Sequence, residues 1–433
     1  MDITKTLILV AAVSLLSGLL ESQSLSSPEI QLVQHIDSHQ EDAIEFLRQV
    51  VDVNSGTMNH KGVRQVGNFF QKELDFLGFT SRWIPMDKVN RAGHLFSKID
   101  GHRGKRILLI GHLDTVFAKD SSFQKFIQFQ SQAKGPGVED MKGGNVVILF
   151  ALKALHSIGA LSEANITVVF TGDEEDSGSP QHISRHDLIE AAKQNDIALG
   201  FEGGVGGIGT ATVARRSTTD WVLNVSAKRG HSSRIFNPEF GSGAIYEASR
   251  ILTGFYNELR NERYLSFSPG LILGGTNLNQ EKIFSRGQAF GKNNVIPQTA
   301  VVRGDLRCIS AEQLQRAKKQ MQDIVSRHLP LTSAEIIFDD GYPAMSPTPA
   351  NYSLLAQLDQ VSRDLGFGPV KAIDPSKRGA ADISFVAPHI QAALDGLGVV
   401  GSGSHSEEET VDLNSLPIMT KRAAVLIYRL IYK

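Results

Sequence analysis

Five short stretches of the chain carry side chains able to bind a metal ion and move a proton. They are His112 and Asp114 in GHLDTV, Asp140 in GPGVEDMKGG, Glu174 and Glu175 in TGDEEDSG, Glu202 in FEGG, and His405 in GSGSHSEEE. Residues two apart in an extended segment point to the same side, so the Asp114 carboxylate can reach the second ring nitrogen of His112. A metal-bound imidazole needs such an acceptor to fix its tautomer. Alone, the pair reads better as a hydrogen-bonded couple at a sheet edge. Glycines and a proline put Asp140 in a tight loop ahead of a helix, where a lone aspartate would simply cap. Glu174 and Glu175 end an apolar run. As strand neighbours they would face opposite ways, one binding metal and the other facing substrate to move protons. The acidic run 173–176 would repel itself unless cations compensate it. Taken jointly, His112, Asp140, Glu175, Glu202 and His405 mix imidazole with hard oxygen donors, which suits zinc or a neighbouring divalent metal. Five ligands are one too many for a single open tetrahedral site, and they fit two metals sharing one carboxylate.

These residues need a frame, and the apolar pattern supplies it. Runs at 107–110, 166–170 and 197–201 each end in one of the polar groups, and a nearly all-apolar helix is predicted over about 144–158. Helical spacing recurs at 41–53 and 62–77, and strand-like runs follow at 79–84 and 94–99. Strands alternating with helices, with polar residues at strand C-terminal ends, imply an α/β fold with a mostly parallel sheet sandwiched by helices. Ligands bind at those carboxyl ends. After Arg216 the texture changes: alternating strands at 221–227, 271–273 and 300–306 and amphipathic helices at 243–259 and 311–328 predict a small inserted α+β unit. Helix and strand then alternate again, at 352–365, 391–394 and 415–431. The expected division is 1–24 as a signal peptide, 25–216 with 341–433 as a catalytic domain, and 217–340 as an inserted lid.

Composition narrows the field. The 433 residues carry 44 Lys plus Arg against 46 Asp plus Glu, so no basic field favours nucleic acid. A single cysteine, Cys308, excludes an intramolecular disulfide and any cysteine-rich metal site. At the N-terminus Lys5 precedes an apolar stretch shorter than the ~20 residues of a spanning helix, with Ser22 and Ser24 placed for cleavage. That layout predicts export to the periplasm or outside, with no stable membrane anchor after cleavage; an uncleaved anchor is the alternative. Residues 204–209 satisfy G-x-G-x-x-G, but β-prone residues follow where a dinucleotide site needs a helix, and Glu202 would repel phosphate. No G-x-S-x-G elbow of a serine hydrolase occurs.

In this order the five motifs resemble those of the di-zinc exopeptidases of the aminoacylase, glutamate carboxypeptidase and succinyl-diaminopimelate desuccinylase type, over nearly the whole chain from Asn54. The resemblance implies that His112 and Glu202 hold one Zn2+, Glu175 and His405 a second, and Asp140 bridges, with Co2+ or Mn2+ as possible substitutes. It further implies Glu174 as general base, Asp114 as the residue orienting His112, and a cis peptide after Asp140. Where relatives carry Glu-Pro-Thr-like residues after the fourth ligand, this chain has Glu202-Gly203-Gly204.

In the inserted segment, GHSSRIF resembles the lid's histidine motif, so His231 would reach a partner subunit's active site in a homodimer formed through the lid. NNVIPQTAVVRGDLR matches a further motif whose Asn294 and Arg307 would contact substrate. Arg307 is suited to grip a carboxylate with two parallel hydrogen bonds. Gly379, in GAADIS, could offer backbone groups to substrate. Two plainer readings stand beside these: Arg307 paired with Asp305, and His231 capping a lid turn. The expected reaction is hydrolysis of an amide in short peptides or N-acyl amino acids with a free carboxylate, using a hydroxide bridged between the metals. The alternative is a small-molecule deacylase or desuccinylase on the same scaffold.

Overall fold

The computed structural model describes residues 24–281 and 286–433; all but the last residue of the expected signal peptide lies outside them. A six-stranded sheet runs through the larger unit in the order Thr80–Met86, Arg91–Asp100, Ala164–Thr171, Arg103–His112, Ile197–Gly200, Ala392–Leu394. The last four strands are mutually parallel, and the first two pair antiparallel at one edge. Strand alternation sorts the side chains onto two buried faces. Ile107, Leu109, Ile166, Val168 and Phe170 point to one side, with the helices Gln40–Val51, His60–Phe76, Lys142–Ser157 and Ser415–Tyr432. Leu108, Ile110 and Val169 point to the other, against Leu188, Ala192, Ile383 and Val386. Helix Lys142–Ser157 is apolar all round because it is covered all round, with thirteen residues from Lys142 to Leu155 buried.

A helix that the sequence pattern did not suggest, Ser27–Ser38, closes the bundle. Its Glu29 is fully buried, accepts from Ser26 N–H at 2.7 Å, and meets Arg429 at 2.7 Å and Lys433 at 2.9 Å. Burial opposes ionisation, but those two cations hold the carboxyl down at about 2.

The second unit is a four-stranded antiparallel sheet in the order Ser266–Gly275, Thr299–Arg307, Thr219–Ala227, Thr332–Asp340. Trp221, Leu223, Ala300 and Val302 pack on one face against Ala248, Ile251, Phe255, Met321 and Ile324 of helices Gly243–Leu259 and Ala311–Val325. The two strands connecting the units are cross-bonded: Arg215 bridges Met345, and Thr218 N–H donates to Tyr342 O at 2.9 Å. A hairpin unforeseen in the sequence, Asn277–Glu281 with Arg286–Phe290, extends from this sheet. Residues 204–209 are followed by the short strand Thr210–Ala211, not a helix, which removes the phosphate-binding geometry.

Candidate active site

Each candidate ligand sits just past the end of a strand or in a loop that a strand anchors. His112 is the last residue of its strand, and Glu202 lies two residues beyond Gly200. A small separate sheet aligns the other two loops. Gln132–Lys134, which leads into the Asp140 loop, pairs with Thr410–Asp412, which leaves the His405 loop. The Glu409 carboxylate locks the two together by accepting from the N–H groups of Gly137 at 3.0 Å, Glu139 at 2.9 Å and Asp140 at 3.0 Å. Asp140–Met141 is a cis peptide.

The five groups converge. His112 Nε2 lies 3.2 Å from Asp140 Oδ1 and 3.7 Å from Glu202 Oε1. His405 Nε2 lies 3.2 Å from the other Asp140 oxygen, Oδ2, and 3.1 Å from Glu175 Oε2. Donors on one tetrahedral zinc at ~2.1 Å stand ~3.4 Å apart, so both triads have the spacing one ion requires. Asp140 turns one oxygen to each triad, as a bridging carboxylate must. Imidazole and carboxylate donors fit a borderline divalent ion.

Two sequence expectations about the surroundings are revised, and a third is met. Glu174 and Glu175 do not divide their faces by strand alternation, because the strand ends at Thr171 and both lie in the following loop. Asp114 fixes that loop: its carboxylate accepts from Thr57 Oγ1 at 2.7 Å and from the N–H groups of Glu174 and Glu175 at 3.0 and 3.1 Å. Its own backbone carbonyl, 3.0 Å from His112 Nδ1, is nearer to that nitrogen than its carboxylate oxygen at 3.4 Å. Finally, the acidic run is compensated from within. Arg185, fully buried, donates to Asp173 at 2.5 Å and to Asp382 at 2.7 Å. Arg185 also donates to Tyr342 Oη at 2.9 Å, and that hydroxyl donates to the Glu174 carbonyl at 2.9 Å. Tyr342, Arg185, Glu409 and Glu139 escaped the sequence reading. Their signal is buried charge, which appears only when the chain is folded.

The electrostatics follow from this crowding. Hydrogen bonds to Asp140 and Glu175 push His405 up to about 11. Burial, with Asp140 close by, raises Glu202 to about 8. Glu174 is raised well above the carboxylate range by burial and by the neighbouring Glu202 charge. Burial alone would lower His112, but hydrogen bonds to Asp114 and Asp140 more than reverse that. Asp140 goes the other way: burial disfavours its charge, and the two imidazoles outweigh burial.

Of the residues expected to touch substrate, His231, Asn294 and Arg307 belong to the second unit, and Gly379 to a loop of the first. His231 and Asn294 are neighbours on a two-stranded ladder, where His231 pairs with Val295. The exposed His231 ring accepts from Ser233 N–H through Nδ1 at 3.2 Å. Asn294 is exposed, and its carbonyl accepts from Ser232 N–H at 2.9 Å. Arg307 Nε donates to Asp305 at 2.7 Å. The Gly379 carbonyl already accepts from Arg215 Nη1 at 2.8 Å.

Against known proteins, residues 108–429 match the sequence profile of Peptidase family M20/M25/M40. The chain belongs to this family. It is 28% identical to carboxypeptidase G2 of Pseudomonas sp. (strain RS-16) over 400 residues, covering 92% of this chain and 91% of that one. It is 23% identical to succinyl-diaminopimelate desuccinylase of Gluconobacter oxydans over 363 residues, covering 80% and 87%. The fold is similar to that of aminopeptidase PepT from Bacillus cereus, with a TM-score of 0.70 at 16% identity over 90% of this chain and 98% of that one. It is also similar to a dinuclear metal binding peptidase of the M20 family from Bacillus subtilis, with a TM-score of 0.64 at 15% identity over 91% and 99%. The chain is thus an M20 metallohydrolase, and its two triads are the candidates for a dinuclear centre.

Proposed function

We propose that this M20 metallohydrolase is a di-zinc exopeptidase of carboxypeptidase type, cleaving the amide of a short peptide or N-acyl amino acid that ends in a free carboxylate. The observation that carries the reading is the pair of triads sharing Asp140, with the half-buried Glu174 carboxyl, uncommitted among the described residues, beside them. His112, Asp140 and Glu202 would hold one ion, and Asp140, Glu175 and His405 the other. Bound there, two divalent ions supply Lewis acidity to the scissile carbonyl and acidify the attacking water. Glu174 takes the proton of that water and passes it to the departing amine. Burial and the nearby Glu202 charge raise its affinity for a proton, which suits a group that must first accept one and then return it. Asp114 and Tyr342 hold its backbone from either side, through the N–H and the carbonyl. Arg307 grips the substrate carboxylate, Asn294 and Gly379 flank it, and His231 polarises the carbonyl from the partner subunit of a homodimer joined through residues 217–340. Residues 1–24 act as an export signal, so the enzyme works outside the cytoplasm.

The relatives' names span a carboxypeptidase and a desuccinylase, so acyl-group removal is the second reading. Glu174→Gln tests the core assignment. Loss of about three orders of magnitude or more in kcat with two metals retained per chain is expected; a variant keeping most of its activity would refute it. A panel of dipeptides and N-acyl amino acids separates the two readings.

A further inference from the structure

Arg378 precedes Gly379, whose carbonyl accepts from Arg215 Nη1, and Arg215 in turn holds Asp395, which lines a small cavity with His112 and Glu202. Arg378 is 8% exposed, yet among the described residues its guanidinium makes no hydrogen bond or ion pair, and Nε is fully enclosed without a partner. A buried charge left this way is costly, and native cores rarely keep one without a use. The carboxylates within its electrostatic reach are Asp395, Glu202 and Glu139, and two of them are engaged elsewhere. Asp395 accepts from Arg215 Nε at 2.6 Å and from Gly396 N–H at 2.6 Å. Glu139 accepts a short hydrogen bond from Ser404. Glu202 belongs to the triad with His112 and Asp140.

Arg215 repeats the pattern. Its Nε and Nη1 are committed to Asp395 and Gly379, while Nη2 is buried and unpartnered. Two guanidinium groups close enough to repel each other thus lie near the wall of the triad's cavity, each with a buried N–H donor to spare.

We propose that Arg378, with Arg215 Nη2 beside it, is an anion anchor of the active site that receives a carboxylate of the substrate. This rests on the hydrolase reading above and adds to it a cationic subsite on the catalytic unit, separate from Arg307. Arg307 is partly exposed and already bonded to Asp305, whereas Arg378 is buried with its Nε left without a partner. A guanidinium stripped of water and of competing partners binds a carboxylate more strongly than one at the surface. The glycine-rich loop then contributes a charge at Arg378 where Gly379 was expected to offer only backbone.

The carboxylate has two sources, the α-carboxylate of the leaving amino acid or an acidic side chain on it. The experiment separates them by kinetics on benzoyl-glutamate, benzoyl-glutamine and benzoyl-glutamate α-amide, with wild type, Arg378→Met and Arg307→Met. Calorimetric titration of free glutamate into the metal-loaded proteins runs in parallel. Methionine replaces the arginine stem and removes only unpartnered donors, so Arg378→Met should fold with its melting temperature and metal content unchanged.

The expected result is a KM increase of about 30-fold or more for benzoyl-glutamate, the size of one charge-assisted hydrogen bond, with kcat less affected. Discrimination against one capped form should collapse with it. Collapse at the α-amide makes the α-carboxylate the ligand, and collapse at benzoyl-glutamine makes it the side chain. The proposal is overturned if Arg378→Met keeps both discriminations, or if it loses metal or stability, which would make Arg378 structural. If wild type cleaves none of the three compounds, the hydrolase reading fails on its own, and glutamate binding decides the anchor: weaker in Arg378→Met supports it, equal affinity overturns it.

Discussion

Without metal, protons occupy the positions the ions would take, and this sets how metal binding responds to pH. His405 Nε2 lies 3.1 Å and 3.2 Å from two carboxylate oxygens, which hold its proton up to a pKa of about 11. Burial holds the Glu202 proton up to about 8. Both pKa values are raised, so at pH 7 both groups are protonated, and both must lose the proton to bind a cation. His112, also raised, adds to the count. At least two protons are therefore released when the two sites fill. The product of the two apparent association constants should rise by a factor of at least about 100 between pH 6 and 7, or at least about 2.7 kcal/mol. Above pH about 8 the Glu202 proton is already gone, and the slope falls. The assay is calorimetric titration of Zn2+ into chelator-treated protein at pH 7 in two buffers of different ionisation enthalpy. The difference in observed heat gives the protons released. Equal heats in both buffers, or affinity flat from pH 6 to 7, would falsify the assignment of His405 and Glu202 as ligands.

Three further outcomes follow from the same geometry. Arg185→Ala leaves Asp173 and Asp382 buried and unpaired, so denaturant unfolding should show a loss of about 3–5 kcal/mol. Glu409→Ala orphans three buried N–H groups of the Asp140 loop; a loss of about 3 kcal/mol is expected, with metal retained more weakly on dialysis. Unchanged metal retention would mean the loop holds its shape without the clamp. Tyr342→Phe removes the hydroxyl that holds the Glu174 carbonyl, and kcat should fall about 10-fold with KM within about twofold, because the substrate contacts are untouched. A KM change without a kcat change would assign Tyr342 to substrate binding instead.

Much of this was legible in the chain itself. Strands buried on both faces read as unbroken apolar runs, so the sheet strands stood out, and the motif residues followed at their C-terminal ends. The helix Gly243–Leu259 was read to its exact limits from its amphipathic spacing. Helix Ser27–Ser38 was overlooked although Ser26 and Glu29 have capping spacing, because its apolar stripe is sparse. The types of the ligands, their strand-end positions and the need for more than one cation are local properties, set by residue chemistry and period. Partner choice among charges is not local. Arg185 with Asp382, Tyr342 with Glu174, and Glu409 with the Asp140 loop join positions far apart in the chain, up to 272 residues for Glu409 and Gly137. A charge has no directional signature in sequence. Its meaning depends on which counter-charge shares its desolvated space, and only the tertiary fold decides that.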